Sequence, residues 1–168
     1  VVAPDPAAPG VAVNLWVEVG SADEAPGRTG FAQLFEHLMF QGSANVASGE
    51  HMATVESLGG TVNATTSTDR TNYFETVPRG ALDLTLWMEA DRFASLAITP
   101  GNFEAQRQVV KEEKRQRYDN QPYGDLLQLR TAQYFALEHA YGHLTSGSMA
   151  DLDAASLGDV AGFFDAWY

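Results

Sequence analysis

The sequence predicts an α+β domain, a mainly antiparallel sheet with helices packed against it. Three observations carry that prediction. Val11, Val13, Leu15, Val17 and Val19 alternate with Ala12, Asn14, Trp16 and Glu18, the period-two pattern of a strand with one buried face. Residues 61–67 and 70–77 are rich in β-branched and aromatic side chains and flank a short turn at Thr68 and Asp69, as in a hairpin. Elsewhere apolar residues recur at three- and four-residue steps, the helical period.

Composition suits one folded domain. The chain has 168 residues, 45% of them apolar, with 9 Phe, 6 Tyr and 3 Trp, enough for a sizeable core and against disorder. Ten basic against 22 acidic residues give a net charge of −12, which argues against a nucleic-acid partner. There is no cysteine, so disulfides and thiolate metal sites are excluded. No apolar run approaches the roughly 18 residues of a membrane span. A soluble protein is expected, with periplasmic, secreted and cytoplasmic settings all open. Residues 1–10 lack a signal-peptide pattern and begin with Val1, as in a processed or trimmed chain.

Taken in order, residues 1–10 read as a loop and 11–19 as the first strand. Residues 20–28 form a polar loop, and Thr29 is the expected N-cap of a helix over 30–40 that stops by Gly42. A second helix from about Ser48 carries Met52, Val55 and Leu58 on one side and ends at Gly59 and Gly60. After the hairpin, Pro78, Arg79 and Gly80 break the strand, and Ala81 to about Ala97 is a helix with Leu82, Leu86, Ala90 and Phe93 at three- and four-residue steps. Thr99 and Pro100 supply the cap and first position of a helix to about Arg117, with Val109 and Val110 inward. Tyr123 to about Ala140 is helical again, and 141–155 is a loop. Ser156 with Asp159 forms a capping box for the last helix. Trp16, Trp87 and Trp167 are expected as core or half-buried residues. With no repeat and no linker, residues 1–168 form a single domain.

The chemistry concentrates in residues 30–40. On a helix, Gln33 and His37 lie four apart and share a face, with Glu36 close to it. Leu34, Phe35, Leu38 and Met39 cover much of the remaining circumference, so the polar stripe is flanked by buried surface. A charge placed there needs a partner or a metal. The pattern is one letter from H-x-x-E-H, whose two imidazoles and carboxylate suit a zinc ion and its activated water. Gln33 stands at the first His. His51 reads as a helix-surface residue, near enough in sequence to stand in for that ligand. His139 and His143, separated by Gly142, read as plain surface histidines.

Four segments resemble, in order, the N-terminal domain of the M16 (pitrilysin-type) zinc peptidases, the inverted-zincin family that includes mitochondrial processing peptidase and insulin-degrading enzyme. They are TGFAQLFEHLMFQGS at 29–43, GGTVNATTSTDRTNYF at 59–74, RQVVKEE at 107–113 and DNQPYG at 119–124. The resemblance implies a LuxS/MPP-like metallohydrolase fold, incomplete at its C-terminus because family domains continue with more strands and a homologous second half. It implies peptide-bond hydrolysis by zinc-activated water, with Glu36 as general base and His37 and Glu113 as metal ligands. Glu113 follows His37 by 113 − 37 = 76 positions, a family spacing, and Glu112 is the fallback. Asn63 and Ala64, on a strand resembling the family's substrate-pairing edge, and Phe40 are implied contacts for a peptide or small protein substrate. Gln33 implies weakened or absent Zn2+ binding, because a neutral amide is a poorer zinc donor than imidazole. Gln106 stands where many relatives carry an acid. The expected partner is a C-terminal homologous domain or a partner subunit. A non-catalytic family subunit, acting as partner or peptide-binding module, is the alternative reading.

Overall fold

The computed structural model describes residues 1–136 and 138–168. Three antiparallel strands form the sheet: β1 (Gly10–Val17), β2 (Thr61–Thr66) and β3 (Thr71–Pro78). Their order is β1-β3-β2, with Val13 opposite Glu75 and Ala64 opposite Tyr73, so β3 is central and β2 lies at an edge. The expected hairpin is β2–β3. Alternation holds along β1, where Val13 and Val17 are buried and Ala12, Asn14 and Trp16 are exposed.

Seven α-helices complete the described residues: α1 (Phe31–Leu38), α2 (Glu50–Ser57), α3 (Leu82–Ser95), α4 (Pro100–Lys114), α5 (Leu126–Tyr134), α6 (Met149–Ala154) and α7 (Leu157–Trp167). None is long and apolar enough to cross a membrane. The main core gathers Phe31, Leu34, Phe35 and Leu38 of α1 with Val17, Tyr73, Val110, Leu152 and Val160. Phe35 sits in an aromatic cage from the end of the chain, 4.7 Å from the ring of Tyr168 and 5.4 Å from that of Phe163. The caps of α4 and α7 form as expected, with Thr99 accepting from Asn102 N and Ser156 from Asp159 N.

Several expectations need correction. Thr29 does not cap α1. Its hydroxyl donates to Asp151 and accepts from Ser148 N, while Gly30, at φ 94°, is the helix boundary. The Glu24 carboxylate caps instead, accepting from the N–H groups of Gly30 and Ala32 at 2.9 and 2.7 Å. The loop after α5 presses on this corner so closely that a Cβ at Gly147 would lie 2.2 Å from the Thr29 carbonyl carbon.

α4 ends in a π turn at residues 115–119, α5 stops at Tyr134, and α6 occupies part of the expected loop. Leu137, within the expected 123–140 helix, lies outside the described residues. On α3 the buried stripe is Thr85, Met88, Glu89 and Arg92, not Leu86, which is exposed. An internal ion pair rotates the helix away from its apolar pattern. Val109 is exposed while Val110 is buried, and on α2 it is His51 that accompanies Val55 inward while Met52 and Leu58 face out. Trp16, Trp87 and Trp167 are 62%, 48% and 41% exposed, so none is a core residue.

Candidate metal centre

Burial of Leu34, Phe35 and Leu38 fixes how α1 is rotated, and that rotation turns Gln33, Glu36 and His37 toward α4 and β2. The three converge there with Glu113. Gln33, buried, donates from Nε2 to Glu113 Oε2 at 2.9 Å, and His37 Nε2 lies 3.2 Å from the same oxygen. The reverse amide orientation would set two acceptor oxygens against each other, so the hydrogen bond fixes the Gln33 rotamer. Arg117, one turn beyond Glu113, holds the other carboxylate oxygen at 2.7 Å. Glu113 is therefore the hub of the centre.

Glu36 accepts a hydrogen bond from the Thr66 hydroxyl on β2. Burial raises its pKa above the ordinary carboxylate value, opposed by that bond and by the neighbouring His37. Glu112 points away, exposed and joined to Arg115 and Gln116. Gln106, Phe40, Asn63 and Ala64 line a recess of about 240 Å³ together with Glu36 and His37. The Asn63 side chain folds back onto its own strand, accepting from Ala64 N. A second, more polar recess of about 200 Å³ joins Gln33, Glu113, Arg117, Thr65 and Thr66.

His51 does not approach this centre. It is buried, bonded to Glu75, and so is neither a surface residue nor a stand-in for the missing ligand. His139 is exposed, as expected, whereas His143 is half-buried, 3.8 Å from Glu24. Two members of the centre escape the sequence reading. Arg117 carried a signal, its i,i+4 spacing from Glu113. Thr66 carried none.

A family model, Insulinase (Peptidase family M16), matches residues 1–146. The chain belongs to peptidase family M16. Among its relatives, a Helicobacter pylori protein named zinc protease PqqE is 35% identical over 94% of this chain and 35% of its own length. A Mycobacterium leprae protein named an uncharacterized zinc protease is 30% identical over 89% of the chain and 33% of its own length. The crystal structure of a protease from Helicobacter pylori superposes with a TM-score of 0.89 at 34% identity, covering 96% of this chain and 39% of that one. Pitrilysin shares the fold with a TM-score of 0.83 at 23% identity, over 98% of this chain and 18% of that one. The chain thus spans about a third of the length of the curated M16 relatives it matches.

Proposed function

We propose that this chain is a single M16-type N-terminal domain that holds an extended peptide along β2, beside a zinc centre weakened by Gln33. One observation carries the reading: the Gln33 amide donates to Glu113 where a catalytic zinc site needs a third ligand atom. His37 and Glu113 are donors of the right kinds, but two protein ligands and an amide N–H do not make up the three-ligand set. The residues present therefore fit zinc incompletely. Structural zinc is worth ~10–16 kcal/mol in small domains, and loss of one ligand removes several of those.

In this reading Glu36 is the residual general base, and its raised pKa suits a group that takes and returns a proton. Zinc, were it held by His37 and Glu113, would supply a polarised water. The peptide pairs with β2, at the edge of the sheet, and sets side chains against Phe40, Asn63 and Ala64. A C-terminal homologous half or a partner subunit closes over that face. The longer M16 relatives support this, and their zinc-protease names support the ancestry of the centre. The same Gln33 favours the non-catalytic role, a peptide-holding partner.

Zinc content and peptide cleavage of the parent and a Gln33→His variant form the test. We expect Gln33→His to hold one more zinc per chain than the parent. Equal zinc in the two would sink the weakened-centre reading. Peptide cleavage by the parent, abolished by Glu36→Gln, would overturn the non-catalytic role.

A further inference from the structure

A second group of metal-binding side chains packs against the ring of Phe40. His51 comes from α2, Glu75 from β3 and Glu89 from α3, and one donor atom from each lies within 4.8 Å of the other two. All three are buried. Arg92 forks onto Glu89, with Nε 2.8 Å from Oε2 and Nη2 2.5 Å from Oε1, and its guanidinium stacks on Phe40 and Tyr73. His51 Nε2 bonds to Glu75 Oε1 and lies 3.8 Å from Glu89 Oε1.

Two features remain unexplained by packing alone. Two carboxylates and an imidazole converge on a single guanidinium. In addition, Glu75 Oε2 is buried with no hydrogen-bond partner. A proton on His51 serves Oε1 and leaves Oε2 orphaned. A divalent ion between the imidazole and the two carboxylates would give the Glu75 carboxylate a further partner.

We propose that His51, Glu75 and Glu89 form a site for a divalent transition-metal ion, zinc being the type, separate from the His37–Glu113 centre. One imidazole and two carboxylates suit such an ion. Arg92 becomes the outer partner that aims Glu89, as ligating carboxylates are commonly held. Binding needs ionised carboxylates and a neutral imidazole.

The test is zinc binding by the full chain carrying His37→Ala, which removes the first centre, followed by equilibrium dialysis and by the visible spectrum with Co2+. One zinc per chain is expected, with affinity falling at least ~10-fold when Glu75→Gln is added. A His37→Ala protein that takes up no zinc, or one indifferent to Glu75→Gln, overturns the site. Where the double variant fails to fold by circular dichroism, the Co2+ spectrum of His37→Ala alone decides, and a spectrum without protein-bound cobalt bands is fatal. The Gln33→His comparison reads a difference that this cluster shares equally in both proteins, so the two proposals fail independently.

Discussion

Two clusters in this domain use nearly the same chemistry and differ in their access to water. Around Glu113, the His37 and Glu113 side chains are 25% and 24% exposed. Around Glu89, the side chains of His51, Glu75 and Glu89 are 5%, 0% and 2% exposed. In the first, each charge keeps part of its hydration, so a member can change without stranding the others. In the second, every charge depends on its neighbours. Substitution at position 33 is thus tolerable to the fold, whereas the His51 cluster belongs to the core.

The largest expected effect falls on the closed cluster. Arg92→Leu leaves Glu89 buried without its partner and should cost about 3–5 kcal/mol in urea unfolding. A loss under about 1 kcal/mol would erase the distinction between the two regions. Gln33→His should leave stability without metal nearly unchanged, yet add about 2.7 kcal/mol at a zinc concentration 100 times Kd. Thermal melts with and without a chelator measure the gain.

The closed cluster should also carry a pH signature. Glu89's folded pKa is raised from 4.5 to about 7, chiefly by burial. Its contribution to stability is therefore full below about 4.5 and is lost as pH climbs through about 7. Glu89→Gln should remove that slope from unfolding curves measured across the window, and an unchanged slope would place the titration elsewhere. The smallest effect is at the open centre. Thr66→Val removes the hydrogen bond that holds Glu36 down, so the Glu36 pKa should rise further, at a stability cost of about 1 kcal/mol. A carboxyl NMR titration that finds it lowered would contradict the assignment.

The contrast also explains what could be read from the sequence. The strands, the hairpin, and the caps at Thr99 and Ser156 follow from local patterns, and the structure has them. The meeting of Gln33, His37 and Glu113 was expected from family spacing, and the structure brings these side chains together. The closed cluster was not legible. His51, Glu75 and Glu89 come from three elements, and no helical or strand period links them. On α3 the apolar spacing marks only part of the inner face, with Phe93 packed on the core and Leu86 exposed, because Glu89 and Arg92 pair and bury together. The cap of α1 was misread because Glu24 reaches it across a loop, six and eight residues away. The tryptophans were misplaced because bulk alone does not decide burial at a sheet edge or on an outer helix face.

The corner around Thr29 sets the order in which the centre can be built. α1 has eight residues, too few to persist alone in water. Its starting loop is tied by Thr29 to Asp151, 122 positions later, and by Arg28 to Asp159, 131 positions later. A ribosome delivers the chain from its N-terminal end, so Gln33 and His37 emerge long before the residues that clamp their helix. The clamp on that helix can therefore close only once residues 151 and 159 have been made, and before then a nascent chain carries these side chains without it.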